Sequence, residues 1–138
     1  MSLETWKEEF YPITAKSRKI KTELDAVEHA LQKWEGLRAR NLKKHGVAHY
    51  RDSKYGSDGK RIEDRCGQTF SITDESCSLC VRHPQSCEKC CLFKIRKGRT
   101  CFETTTQEHL GPYIAFVTKG DPSPMVRLLR KAKAKLLL

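Results

Sequence analysis

Two Cys-x2-Cys pairs six residues apart, Cys77-x2-Cys80 and Cys87-x2-Cys90, constrain this chain more than any other feature. A two-residue gap lets one tight turn aim both sulfurs at a single point. Two such turns complete a tetrahedron around an ion at metal–sulfur distances of about 2.3 Å. The seven cysteines, Cys66, Cys77, Cys80, Cys87, Cys90, Cys91 and Cys101, are an odd number and cannot all pair as disulfides within one chain. The opening MSLETWKEEF carries three acids and no apolar stretch, so it does not read as a secretory signal, and the cytoplasm is the expected location. In a reducing compartment such cysteines point to metal before disulfides, and Zn2+ is the expected cofactor.

Three ligand sets compete, ranked in this order. The simplest is Cys77, Cys80, Cys87 and Cys90. The second exchanges Cys87 for Cys101 and closes a larger loop. The third brings in His83 for one of the cysteines. The six-residue connection is shorter than in most zinc ribbons, which keeps all three open. Cys90 and Cys91 are adjacent, and both binding one ion is strained, so Cys91 is read as the spare thiol and Cys66 as structural. The spacing matches neither common iron–sulfur run. A hydrolytic zinc needs an open coordination position, whereas four thiolates are a closed set. The HExxH and HxE…PCxxC motifs are both absent. An enzyme is therefore not expected. A metal-dependent nuclease on His45, His49 and Asp52 is the minor alternative.

At 138 residues the chain fits one compact domain with a small core. A mean hydropathy of −0.65 and the lack of an apolar run near 18 residues speak against a membrane span. Ser2 can cap a short helix over 3–11 carrying Leu3, Trp6 and Phe10 on one stripe, ended by Pro12. The clearest helix is 23–44. Thr22 is its N-cap, Leu24, Val27, Leu31, Trp34, Leu37 and Leu42 form an apolar stripe, and Gly46 suits a left-handed C-terminal cap. Gly36 lowers helix propensity by about 1 kcal/mol relative to Ala, and allows a close helix crossing. Residues 47–68 lack helical period and read as a loop, with Tyr50, Arg51, Lys54, Tyr55, Lys60, Arg61 and Arg65 around a turn at 57–59. Short strands are expected at 68–73, 100–103 and, from the aromatic and β-branched run YIAFVT, at 113–118. Asp121-Pro122-Ser123-Pro124 announces a last helix over 124–136.

The net charge of +10 is uneven. Residues 87–101 hold five basic groups and one acid, and residues 119–138 hold six and one. A focused excess of this kind suits phosphate contact. Nucleic acid, DNA or RNA, is the expected partner, and Arg96, Lys97, Arg99, Arg130, Lys131 and Lys133 are the candidate contacts. A protein partner is the second reading, through the face of the 23–44 helix and the apolar ending Leu136-Leu137-Leu138.

The order of segments LDAVEHALQKWEGLR, CSLC…CEKCC and PYIAFVTKGDPSPMVRLLRKA resembles small uncharacterised proteins of tailed phages and prophages, over about two-thirds of the chain. The resemblance implies a zinc-binding accessory protein, either a DNA-associated regulator or an inhibitor of a host or competitor machine, acting in the host cytoplasm. Cys91 stands where a proline is expected after the second knuckle, which leaves the ligand set open. The expected architecture is α+β. A helical N-terminal part with a basic loop spans 1–65, a zinc-stapled lobe like a zinc finger or ribbon spans 66–103, and a strand with a basic C-terminal helix spans 104–138.

Overall fold

A computed structural model describes residues 1–17, 20–49, 61–72, 77–105 and 110–138 of the chain. The fold is α+β, with a small three-stranded sheet beside a helical body. Helix α1 (Leu3–Phe10) begins as its sequence suggests. Thr5 N–H donates to Ser2 Oγ while Ser2 N–H donates to Thr5 Oγ1, a reciprocal cap that satisfies two helix-end donors. Thr22 caps α2 (Glu23–Gly36) through a single bond, its Oγ1 accepting from Asp25 N–H at 3.1 Å.

The single helix expected over 23–44 is two helices. After Gly36 the Leu37 and Arg38 N–H groups donate to carbonyls three residues back, and Arg38 turns to extended backbone before α3 (Ala39–Lys44). The Asn41 amide closes the break by donating to Glu35 O at 2.7 Å. Glycine at the last position of α2 has low propensity for continuing. Gly46 follows with φ +66°, the left-handed stop that was expected.

Strands β1 (Val47–His49), β2 (Arg61–Asp64) and β3 (Thr69–Ser71) pair antiparallel in the order β1-β2-β3, with Ile62 opposite Phe70. The strand expected at 68–73 is thus present over three residues. The loop expected over 47–68 holds two strands where it is described. They are too short for alternation to reveal, and Val47 and Ile62 are their buried apolar residues. The basic and aromatic residues Tyr50, Arg51, Lys54, Tyr55 and Lys60, with the turn at 57–59 and Asp52, lie outside the described residues.

Helix α4 (Ser78–Arg82), a 3₁₀ turn (Cys87–Lys89) and α5 (Cys91–Ile95) carry the cysteine segment. The strand expected at 113–118 is helix α6 (Pro112–Lys119). Pro112 occupies its first position and Gly120, at φ +67°, ends it. Its buried residues Pro112, Ala115 and Phe116 follow a helical spacing. These boundary residues outweigh the β-propensity of the run, which is weak against context. The strand expected at 100–103 is a turn, held by reciprocal bonds between Thr100 and Glu103. Helix α7 (Ser123–Leu136) closes the chain; Asp121 Oδ1 accepts from Ser123 N–H at its start.

Helix α2 is the axis of the body. Helices α1, α4 and α7 pack on it, so its buried face is wide: Ala26, Val27, His29, Ala30, Lys33, Trp34 and Gly36. Trp6, Trp34, Phe116, Leu37, Val126 and Leu129 form the centre of the core. The sheet joins it through Ile62 and through Phe70, whose ring lies 5.7 Å from Trp6 and 5.1 Å from Tyr11.

Asp64 ties the sheet to α1. Its carboxylate accepts from Leu3 N–H at 2.9 Å across 61 residues of sequence, and from Cys66 and Gln68 N–H in the β2–β3 turn. These bonds, led by that from Leu3, hold the carboxyl below its usual range. A carboxyl more acidic in the folded chain stabilises it above the unfolded value near 4, and that contribution disappears as pH falls through the folded value. Asp64→Asn is therefore expected to lower the melting temperature at pH 7. It is also expected to flatten the loss of stability on acidification below about pH 4; thermal melts of both chains between pH 2 and pH 7 measure this.

Candidate metal centre

The cysteine segment folds as two knuckles pressed onto α2. In the first, Cys77 caps α4 from extended backbone, its carbonyl accepts from Val81 N–H, and Cys80 follows within the helix. In the second, Cys90 N–H donates to Cys87 O at 3.0 Å, and Cys90 then caps α5. Cys101 comes from the turn before α6. Tyr113 N–H donates to its carbonyl, and a side chain at Gly111 would meet the 101–103 backbone at under 3 Å. Only glycine permits that approach.

Cys77, Cys80, Cys87, Cys90 and Cys101, with His83, line one cavity of about 60 Å³ between α2, the two knuckles and α6. Five of the thiols singled out from spacing thus line one cavity, as does the alternative imidazole, but among the described residues only Glu23, Cys90 and Cys91 bring three ligand atoms within 4.8 Å of one another. Apolar walls come from Trp34, Leu79, Leu92, Met125 and Leu129. All seven cysteines are free thiols; Cys66 and Cys87 are exposed and the others half-buried.

The thiols act on one another. Cys77 is pulled toward thiolate, first by the hydrogen bond from Cys80 and further by the nearby Lys33 charge. Cys80, which gives that bond, is pushed up. Burial and the charges of Cys77 and Cys90 push Cys101 up to about 12. Lys33 is fully buried in the same wall; burial pushes its ammonium down, and Cys77 and Cys80 pull it back up.

A second grouping escaped the sequence. Glu23, Cys90 and Cys91 bring ligand atoms within 4.8 Å of one another, and this group could hold a metal ion. Cys91, read as spare, belongs to it. Glu23 Oε1 accepts from Arg82 Nε at 3.0 Å and His83 Nε2 at 2.7 Å, and Oε2 accepts from Cys91 N–H at 2.9 Å. Burial alone would raise this carboxyl, but the bonds from His83 and Cys91 prevail and hold it low. Glu23 thereby ties α4 and α5 to the start of α2. Sequence offered no sign of this, because a first-turn acid is ordinary helix chemistry.

The donor set could hold a metal ion. Five thiols and an imidazole are soft and borderline ligands. The indole N–H of Trp34, which lines the cavity, is buried without a partner among the described residues, a donor that a sulfur-rich centre would satisfy.

The basic residues are distributed less simply. Arg96 is engaged within its own loop, donating to Thr100 O and Glu103 O. Lys97 and Arg99 are exposed beside it. Arg130 donates to Glu35, and Lys133 Nζ lies 3.8 Å from Glu28, so both face acids of α2. Lys131 is exposed. The sequence did not single out a groove of about 530 Å³ between α4, α5 and the end of α7, whose lining includes Arg82, Lys89, Lys94 and Lys135. The Trp34 face expected for a protein partner is covered by α6 and α7 of the same chain, whereas Leu136, Leu137 and Leu138 are exposed.

His45 Nε2 meets Glu9 at 2.9 Å and its Nδ1 meets the Thr5 hydroxyl, while His49 packs on Phe116. The two imidazoles are thus engaged separately. Among the described residues no helix is long and apolar enough to cross a membrane. No family model, curated protein or solved structure matches the chain.

Proposed function

We propose that this chain is a small zinc-binding accessory module of the phage type, in which a structural ion fastens the cysteine segment to α2. The observation that supports the zinc is that Cys77, Cys80, Cys87, Cys90 and Cys101 line one cavity beside the Glu23, Cys90 and Cys91 group. Zinc supplies there no reaction but folding free energy: the knuckles and the 101–103 turn contribute few buried apolar side chains of their own. Elemental analysis of reduced, purified protein tests it, with one zinc per chain the expected content and none the result that removes it.

Nucleic acid is the partner the surface supports best. The groove residues Lys89, Lys94 and Lys135, with exposed Lys97, Arg99 and Lys131, give phosphates several cationic contacts. Ion pairing of Arg82 with Glu23, and of Arg130 and Lys133 with acids of α2, discounts those three. Affinity for a labelled single-stranded 12-mer is expected to fall with salt, with a log–log slope of roughly 0.7 per phosphate neutralised. Reversing Lys89, Lys94 and Lys135 to Glu is expected to lower that slope by about 2. A flat slope, or no binding at 50 mM salt, removes this partner. The exposed leucines 136–138 favour the second reading, an inhibitory module that docks on a host or competitor protein. Trimming them would then abolish partner binding and leave the salt-dependent binding intact.

A further inference from the structure

The grouping of Glu23, Cys90 and Cys91 is built differently from the thiol cavity beside it. Adjacent cysteines on an extended chain point to opposite sides. Here the backbone changes from extended at Cys90 to helical at Cys91, the first residue of α5, and both sulfurs come within 4.8 Å of each other and of a Glu23 oxygen. Ligand atoms about 2.3 Å from a tetrahedral ion lie roughly 3.8 Å apart, so the group has to draw in by about an ångström at most. Glu23 is already aimed. Arg82 and His83 hold its Oε1 and Cys91 N–H holds its Oε2, the outer bonding that fixes a ligating carboxylate, and an ionised carboxylate keeps acceptor capacity beyond these bonds. Glu23 and Cys91 both line the open groove of about 530 Å³ between α4, α5 and the end of α7, whereas Cys77, Cys80, Cys87 and Cys101 line the apolar cavity.

We infer that Glu23, Cys90 and Cys91 form a second metal site, exchangeable and of the zinc class, whose open fourth position faces the groove and takes a phosphate oxygen. The inference rests on the zinc reading above for the first ion, in the cavity with Cys77 and Cys80. Cys90 borders both sites, and a thiolate sulfur can bridge two ions. Three protein ligands leave a position for an outside ligand, where four thiolates close the shell. An ion so held is expected to leave during purification, in accord with one tightly bound zinc per chain. The thiol protons pass to solvent as the ion enters. Two thiolates and a carboxylate leave a divalent ion with about one net negative charge. The exposed Lys89, Lys94 and Lys135 of the groove outnumber it and keep the groove attractive to phosphate.

Full-length protein, reduced at neutral pH and carrying one zinc, is titrated with Zn2+ against a competing chelating indicator. A second equivalent is expected to bind. Cys91→Ser and Glu23→Gln keep the size of the side chain. Both are expected to weaken the second equivalent by more than the roughly 10- to 100-fold that loss of an outer-shell partner costs. Both are expected to retain the first ion, which shows that the knuckles have folded. Filling the second site is expected to tighten binding of the labelled 12-mer by about 5-fold or more in the wild type and not in C91S. Inorganic phosphate that abolishes this gain marks the free anion as the ligand; a gain that survives it assigns the position to the nucleic-acid backbone. No second equivalent, or one held as tightly by C91S and E23Q as by the wild type, overturns the second site and leaves the first zinc standing. A second ion that changes neither the 12-mer nor the phosphate affinity overturns the open position. A single zinc kept in Cys77→Ser and lost in Cys91→Ser sinks the cavity reading and leaves this site. A wild-type chain that takes up no zinc removes both.

Discussion

If the cysteines hold zinc as proposed, a strong chelator under reducing conditions is expected to lower the melting temperature by roughly 10–20 °C and to loosen residues 77–105. For a ligand held at about a thousand times its dissociation constant, binding adds about 4 kcal/mol to the folded state. At this chain length each kcal/mol is worth about 2–5 °C. The effect concentrates in the cysteine segment, where helices of five residues cannot sustain themselves. The core around Trp6 and Val27 does not touch the cavity and is expected to keep its helical circular dichroism. Serine substitution separates the ligand sets. Cys77→Ser and Cys80→Ser are expected to reproduce the chelator's effect, Cys101→Ser to do so only if that thiol binds, and His83→Ala to change little. Unaltered melting in chelator, with the thiols bridged in pairs on oxidation, would mean that the cysteines serve as disulfides.

Where local chemistry decides an element, it could be read directly. Ser2 and Thr22 cap the helices they precede, Gly46 stops α3, and the Asp121-Pro122 start leads into α7. The 113–118 run is helical although its aromatic and β-branched composition favours a strand. Pro112 and Gly120 frame a helix, and side chains apolar on every side conceal its period. The cysteines were legible as a group because knuckle spacing is a local property; which of them face each other depends on how α4, α5 and the 101 turn dock. Lys33 was invisible for a related reason. It lies one position from Trp34 in the sequence, yet it is fully buried in the wall of the thiol cavity. Glu23 likewise resembles a dipole-compatible acid until Arg82, His83 and Cys91 reach it.

Gly36→Ala is expected to destabilise the chain in one background and stabilise it in another. Gly36 is helical, so its backbone does not require glycine, and propensity alone favours alanine by about 1 kcal/mol. A Cβ there, however, would lie 2.4 Å from Phe10 Cγ and 2.6 Å from Phe10 Cβ. These atoms are close to the backbone of α1 and cannot swing away as a side-chain tip can. Helix α1 is held in place from both sides, by Trp6 Nε1–H donating to Gly36 O at 2.7 Å and by Asp64 on Leu3. Separating the helices breaks the first bond and opens the Trp6 core, so the overpacking term of about 1–3 kcal/mol outweighs the propensity gain. A larger side chain, as in Gly36→Val, is expected to reach about 3 kcal/mol, a sizeable share of a total stability of about 5–15 kcal/mol. Phe10→Gly removes the obstructing ring together with its Cβ, at its own cost. In that background Gly36→Ala is expected to raise stability, by up to about 1 kcal/mol. The double-mutant cycle, measured by urea denaturation, therefore gives a coupling energy of about 1–3 kcal/mol with a reversal of sign in the glycine substitution. Additive effects of the two substitutions would mean that the α1–α2 crossing is not set by contact between Gly36 and Phe10.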